Sequence, residues 1–529
     1  MWTNRHLGTH WHALVGVFLL LSGCMVGPDF TRPSVKVSQT WLEAGDLRVK
    51  TDPLEYRSWW RIFDDPILDQ LISQAYQENL SLKIAGVRVL EARAELGIAA
   101  GELYPQTQQA FGSLEYNRLS DRAPQAQALS SSNLNYQQAE IGLQAGWELD
   151  FWGKFRRAVE SANANWLALI ANYDNALVSL TASVANSYIT IRTLEKRLDI
   201  ARQNVEIQKE NLNVAEARLR YGTASQLDAE QAKTVLYNTL ASIPVFETQL
   251  QQARDVLSVL LGLPPSDLAD LLKGASEIPV SPAQVVVGIP TDLLRRRPDI
   301  RSAEQQAAAQ CAQIGVAKAE LYPAFSLTGS FGFLSSDVGN FKLSDMFQWK
   351  SRTAQAGPSF QWNILNYGRI TNNVRVQDAR FQESLLTYQN AVLTAQQEVE
   401  DNLIAFLKAQ DQARFLAQGV SSAKTSLDLA VLQYRQGIVD FTTVLIAQLA
   451  FLNGQDSLAS TLGNISSSLV GVYRALGGGW EIREGNDLVP PEIKEEMRKR
   501  THWGKLLAPA SYNLAASEES KSTIRLPDW

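Results

Sequence analysis

Histidine, cysteine and methionine are scarce in this sequence, and each scarcity removes a class of chemistry. The 529 residues hold four histidines, of which His6, His10 and His12 stand near the start and leave His502 as the last. One imidazole cannot furnish a zinc site built on several, and it is a poor basis for a hydrolase triad. Ser421 and Lys424 make an S-x-x-K match, but on a helical stretch without its companion motifs it reads as coincidence. An enzyme is therefore not expected, nor is a cofactor or a resident metal. Met1, Met25, Met346 and Met497 are the whole methionine complement, so no relay of soft thioether ligands is visible. An apolar run of ~18 residues is also missing, which excludes an ordinary spanning α-helix. So is a basic field for nucleic acid, since the formal charge is -6. With 45% hydrophobic residues and a mean hydropathy of -0.15, the chain is neither disordered nor a bundle of membrane helices.

The first residues carry a secretory signal. Arg5 supplies a positive start, Ala13 to Leu21 a short apolar stretch, and Leu21-Ser22-Gly23-Cys24 reads as a lipobox. Cleavage there makes Cys24 the acylated first residue of the mature chain. Met25 and Val26 follow, so no aspartate signals retention at the inner membrane. The expected destination is outer-membrane lipid, reached through N-terminal acylation. Acyl chains contribute ~0.8 kcal/mol per buried methylene, which tethers rather than spans. With Cys24 acylated, Cys311 is the remaining thiol and no intramolecular disulfide is expected. Its Ala-rich helical surroundings suggest a buried small hydrophobe.

The chain is written twice, at a spacing of about 215 residues. Ala94-Glu-Leu-Gly-Ile-Ala-Ala-Gly-Glu-Leu-Tyr-Pro105 recurs as Ala312-Gln-Ile-Gly-Val-Ala-Lys-Ala-Glu-Leu-Tyr-Pro323. Trp147-Glu-Leu-Asp-Phe-Trp-Gly153 recurs as Trp362-Asn-Ile-Leu-Asn-Tyr-Gly368, and Arg220-Tyr-Gly222 as Arg435-Gln-Gly437. Each half thus reads helix, two strands, very long helix, turn, helix: two tandem structural repeats per chain.

Strands are expected near 105–117, 136–150, 323–334 and 353–366. Ile141, Leu143, Ala145, Trp147 and Leu149 alternate with polar or small residues, as do Phe325, Leu327, Phe331 and Phe333. Ala356, Pro358, Phe360, Trp362 and Ile364 do the same, whereas the strand around Phe111, Leu114 and Tyr116 alternates poorly. Such segments fit the lipid-facing and lumen-facing sides of a membrane barrel. A half-buried soluble sheet alternates in the same way; the lipobox favours the barrel. Polar intervals, Arg118 to Asn135 and Leu334 to Arg352, suit extracellular loops. Four strands cannot close a barrel, because about eight is the smallest number that spans a membrane and open edges are not tolerated in lipid. Several copies must share one barrel.

From Lys154 to Tyr221 there is neither proline nor glycine. Leu177, Leu180, Val184, Tyr188, Ile191, Leu194, Leu198, Ala201 and Val205 keep a 3/4 spacing, and Val392, Ala395, Val399, Leu403 and Phe406 repeat it in the other half. At 1.5 Å per residue such a helix is ~100 Å long, which suggests coiled-coil packing side by side. Shorter return helices start near Gln226 and Thr442 and end near Leu261 and Leu476.

The duplicated Glu-Leu-Tyr-Pro, Gly288-Ile-Pro-Thr-Asp-Leu-Leu-Arg-Arg-Arg-Pro-Asp-Ile300 and Val472-Tyr-Arg-Ala-Leu-Gly-Gly-Gly-Trp480 resemble the TolC-type outer-membrane factors. More narrowly they resemble the NodT-like lipoprotein branch that serves RND pumps. The resemblance covers roughly residues 24 to 481. It implies an α+β membrane protein: a homotrimer in which four strands per protomer build a twelve-stranded transmembrane β-barrel, continuous with a long periplasmic α-helical barrel. The implied partners are a periplasmic adaptor of the membrane-fusion kind and an inner-membrane RND transporter, with small toxic molecules or drugs as cargo. Protein secretion, heavy-metal efflux and a non-conducting envelope spacer are the competing functions.

On this frame the chain divides into a signal peptide (1–23), a lipidated extended segment (24–63), a first repeat (64–262), an equatorial linker (263–297), a second repeat (298–480) and a tail (481–529). Pro298 and Asp299 are ordinary helix-initiation residues, so Arg295 to Asp299 reads as an equatorial structural element. The resemblance places the periplasmic gate and adaptor-docking residues at the two helix turns. Candidates are Arg218, Arg220, Tyr221, Gly222 and Asp228 in the first, and Arg435, Gly437, Asp440, Thr443 and Ile446 in the second. Multidrug relatives place aspartates after the second glycine; this chain has Thr443 and Ile446 there, so an acidic ring would have to come from Asp440 or Asp228. The tail, with Pro490-Pro491, is expected either to pack around the equator or to run on as disordered chain.

Overall fold

A computed structural model describes residues 25–50, 56–120, 122, 134–274, 277–288, 290–292, 296–338 and 341–508. Cys24 and the signal stretch, most of the 118–135 interval, Leu293 to Arg295 and residues 509–529 lie outside the described residues. In chain order the main elements are β1 (Val49–Lys50), α1 (Pro66–Glu78), α2 (Leu80–Gly101), β2 (Thr107–Arg118), β3 (Asn135–Leu149), α3 (Lys154–Arg220) and α4 (Gln226–Leu260). They continue with β4 (Val285–Val286), α5 (Pro298–Ala319), β5 (Ala324–Ser336), β6 (Arg352–Gln361), α6 (Arg369–Arg435), α7 (Phe441–Ala475) and α8 (Pro491–Arg500).

Four strands form one antiparallel sheet in the order β2-β3-β5-β6. Its register gathers the alternating residues into two faces. Leu143 stands opposite Ala110 and Phe331, Ile141 opposite Phe333, and Trp147 opposite Leu327, with Pro358 and Phe360 continuing the rows on β6. The other face carries the row Gln109, Gln144, Ser330, Gln355. The apolar face is the exposed one: Leu143 is 63% exposed and Phe360 70%. A soluble half-buried sheet hides that face; here none of the described residues covers it. The poor alternation of β2 has a local cause. Phe111 lies on the polar face, over Gly142, where Gly142 and Gly332 let two strands approach so closely that a Cβ on Gly332 would stand 2.6 Å from the Ile141 carbonyl oxygen. Leu114 and Tyr116 keep to the apolar face.

The last strand is shorter than its alternation suggests, ending at Gln361 rather than running on to 366. The ladder stops there because β5 begins at Ala324, opposite Gln361, and Pro323 before it has no N–H to continue the pairing; the Trp362 indole N–H instead donates to the Leu321 carbonyl (3.0 Å). Trp147 makes the matching bond to Leu103 (3.1 Å). Each repeated tryptophan thus ties a strand base to the leucine of a Glu-Leu-Tyr-Pro turn.

No helix among the described residues is long and apolar enough to cross a membrane. The two longest, α3 and α6, have 67 residues each, and the return helices α4 and α7 have 35 each. At 1.5 Å per residue the long pair extends ~100 Å. All nine seam residues from Leu177 to Val205 are buried, and so are Val392, Ala395, Val399, Leu403 and Phe406. From Asn204 on the seam turns polar, with Asn204, Gln208 and Asn211 buried and the Asn204 amide donating to Gln455 (2.8 Å).

The middle of the helical layer is belted. Residues 25–50 run along the helices, with Arg32 on Glu304 (2.6 Å) and the Trp41 indole on the Gly288 carbonyl (3.0 Å), before β1 pairs in parallel with β4. Arg297 bonds Asp299, Glu398 on α6 and the Ala475 carbonyl on α7, so this stretch is a structural brace. Asp174 on α3 is fully buried between Arg301 and Arg483, and Trp480 lies under both guanidinium groups. Burial pushes the Asp174 carboxyl up, and the two arginines oppose that shift. The tail packs as far as residue 508 rather than running free there. Leu488 and Val489 cross Gly86, and Leu90, Val489, Met497 and Leu507 form a small apolar cluster against α2.

Candidate functional site

Both helix turns lie at the end of the coiled layer remote from the sheet, and both are built alike. Each long helix stops at a left-handed glycine, Gly222 (φ +71°) and Gly437 (φ +77°), a conformation that L side chains resist. Each return helix then starts on an N-cap. Ser225 accepts from the Asp228 backbone N–H (3.4 Å), while Asp440 accepts from the Thr443 N–H (3.1 Å) and from its hydroxyl (3.1 Å). Cap and partner are thus swapped between the turns, hydroxyl before acid in one and acid before hydroxyl in the other. The acid expected at Thr443 is found three residues earlier, engaged as a cap.

One cluster holds the two turns together. Arg218 donates to the Tyr434 carbonyl and to the Thr223 carbonyl (3.0 Å), and its guanidinium lies 4.5 Å from the Tyr434 ring centre. The Tyr434 hydroxyl donates to Asp228 (3.2 Å), which also accepts from Ser225 Oγ (2.7 Å). Tyr434 packs edge-on to Phe441 at 5.3 Å. Burial, then the neighbouring Asp228 charge, pushes the Tyr434 phenol up to about 12. Each hydrogen bond contributes ~0.5–1.5 kcal/mol and the cation–π contact ~0.5–1 kcal/mol. The cluster is strong enough to hold one arrangement and weak enough to be exchanged.

Of the sequence candidates, Arg218 and Asp228 meet in this cluster through Tyr434, and Gly437 lies against Arg218. Arg220, Tyr221, Arg435 and Ile446 are exposed around it, with Tyr221 at 85% and Ile446 at 64%. Sequence reasoning missed Tyr434. Its signal was there: Leu427, Ala430 and Tyr434 continue the 3/4 spacing, so a hydroxyl-bearing ring closes the seam at the turn. Among the described residues no group of three or more His, Cys, Asp or Glu side chains is placed to hold a metal ion. Cys311 is buried beneath residues 26–28, its thiol 3.6 Å from the Pro28 carbonyl, and burial pushes its pKa up.

Residues 71–263 and 289–478 match the family model described as outer membrane efflux protein. The chain belongs to that family. The efflux protein is 31% identical over 467 residues to Nodulation protein T of Rhizobium leguminosarum bv. viciae, a match covering 87% of this chain and 92% of that protein. It is 31% identical over 481 residues to the pyoverdine export outer membrane protein OpmQ of Pseudomonas aeruginosa, covering 89% and 97%. Among solved structures it resembles the outer-membrane channel OprN with a TM-score of 0.79 and 30% identity, covering 87% of this chain and all of that one. The efflux protein is thus an outer-membrane channel component whose helices extend into the periplasm. These three relatives are named as a nodulation protein, an export protein and a channel, none of them as an enzyme.

Proposed function

We propose that three copies of this chain close one twelve-stranded barrel and one helical duct, through which a tripartite pump expels drugs or other small toxic molecules. The observation that carries the reading is the single four-stranded sheet with its apolar face outward and β2 and β6 as its edges. In lipid those edges must pair, and only another copy of the chain offers the complementary edge. Strand β6 has ten residues, Arg352–Gln361, and so nine steps. At ~3.4 Å each and a tilt of ~40° they rise about 23 Å, close to an apolar band of ~25 Å. The two halves, with equal helices and matching turns, act as tandem repeats that approximate a sixfold wall from three chains.

In this reading the Arg218–Tyr434–Asp228 cluster is the resting latch of the periplasmic end. The exposed rim of Arg220, Tyr221, Gly222, Arg435, Asp440, Thr443 and Ile446 receives a periplasmic adaptor, and an inner-membrane RND transporter delivers the cargo. Acylation of Cys24 fits the same geometry. The next residue, Met25, packs on Gly153, and the Val26 N–H donates to the Trp152 carbonyl (3.0 Å), where sheet gives way to helix. A lipid attached there enters the inner leaflet beside the barrel.

Cysteine scanning tests the closure. Ala110→Cys on β2, combined in turn with single cysteines at positions 352–358 of β6, should give disulfide-linked species ending at three copies. A ladder that stops at two copies, or runs on without limit, would overturn the closed trimer.

A further inference from the structure

Arginines occupy the apolar face at the end of both edge strands. Arg352 opens β6 opposite Phe333, in the row of Ile141. Arg118 closes β2 two residues after Tyr116 and four after Leu114, on the same face. Both are exposed, as is Lys350. Around them stand aromatic rings open to the surroundings: Phe347 is 72% exposed and Trp349 66%. Arg352 is aimed by its neighbour, donating to the Trp349 carbonyl (2.7 Å) with its guanidinium 4.8 Å from that ring centre. Among the described residues no carboxylate pairs with Arg118, Lys350 or Arg352. Of the nearby acids, Asp345 accepts from the Gln348 amide (2.8 Å) and Asp337 from the Gln137 backbone N–H (2.6 Å).

Ring closure makes this pattern consequential. β2 runs away from the helices toward Arg118, and β6 runs from Arg352 back toward them. When β6 of one copy pairs with β2 of the next, these ends coincide and three cations gather at each seam, on the lipid side. Like charges side by side repel, and guanidinium groups at a lipid boundary match phosphate geometry. We propose that each seam binds the phosphorylated headgroup of an outer-leaflet glycolipid. Its phosphate sits between Arg118 of one copy and Lys350 and Arg352 of the next, and its acyl chains run along Trp349 and Phe347. The exposed rings select a lipid over a free anion, which would leave them in water. The inference rests on the trimeric barrel proposed above.

Native mass spectrometry of the purified full chain tests it, with bis-phosphorylated lipid A as probe and phosphatidylethanolamine and inorganic phosphate as comparisons. The trimer should retain lipid A in preference to phosphatidylethanolamine. Binding should fall about tenfold or more in an R118Q/R352Q variant, as two charge-assisted contacts are lost, and recover in R118K/R352K. Equal retention of both lipids, unchanged lipid A binding in R118Q/R352Q trimers, or displacement by millimolar phosphate alone would overturn the site and leave the barrel intact. A wild-type chain that remains monomeric in the same spectra overturns the barrel itself. Failure of R118Q/R352Q to form trimers while R118K/R352K forms them and holds no more lipid A than phosphatidylethanolamine also counts against the site.

Discussion

At the scale of single residues, the proposed latch turns on Tyr434, which joins Arg218 to Asp228 and is nearly fully buried. Tyr434→Phe keeps the ring and removes the bond, about 0.5–1.5 kcal/mol per protomer. The open probability of single channels in planar bilayers should rise severalfold while the thermal midpoint hardly moves. The phenol also sets a pH window. Its folded pKa is raised to about 12 from an ordinary 10.0, so its contribution is complete below pH 10 and fades as pH rises through about 12. Channel opening should increase over that interval in the native chain, and the Phe variant should lack the increase. The candidate residues were partly legible in the sequence because the repeat placed Arg220-Tyr-Gly222 and Arg435-Gln-Gly437 at equivalent turns. Tyr434 was not, since a seam position gives no hint that its hydroxyl crosses to another hairpin. Thr443 was legible only as an absence, because the cap that Asp440 makes to its N–H and hydroxyl is a three-dimensional contact that residue types alone do not specify.

At the scale of elements, the equatorial knot and the sheet make separate demands. Asp174 is buried with two arginines, one of them, Arg483, supplied by the tail. Asp174→Ala takes the carboxylate from between buried Arg483 and half-buried Arg301 and should cost about 3–5 kcal/mol in urea unfolding. Ending the chain after Trp480 should destabilise as well, by removing Arg483 and uncovering Leu90. In the sheet, Gly332→Ala drives a methyl group into the Ile141 carbonyl and the Gly142 Cα. Both contacts are backbone, so the strands must part, at about 1–3 kcal/mol. Loss of heat-resistant oligomers on gels is the readout. Period-two and 3/4 patterns made most strands and helices legible, because each has one apolar face. The end of β6, expected near 366, was misjudged because Trp362 and Ile364 keep the alternation after the partner strand has run out at Ala324, next to Pro323. The tail was legible only as two alternatives, packed or disordered, because its contact with Gly86 and Leu90 joins segments some four hundred residues apart in sequence.

At the scale of the whole molecule, one inference organises the rest. A sheet with its apolar face exposed and both edges open is unstable as a lone chain in lipid, whereas helices of ~100 Å are far longer than any globular core requires. Together they support the proposed reading of the chain as one segment of a wall, and the family match supplies the efflux setting. Conductance across a planar bilayer tests this most directly. Purified full-length protein carrying Tyr434→Phe and Arg218→Ala, with the latch removed, should give steady, long-lived channels of uniform size. Assembled oligomers of that variant inserted in the bilayer without any conductance would contradict a duct and leave only a solid stalk.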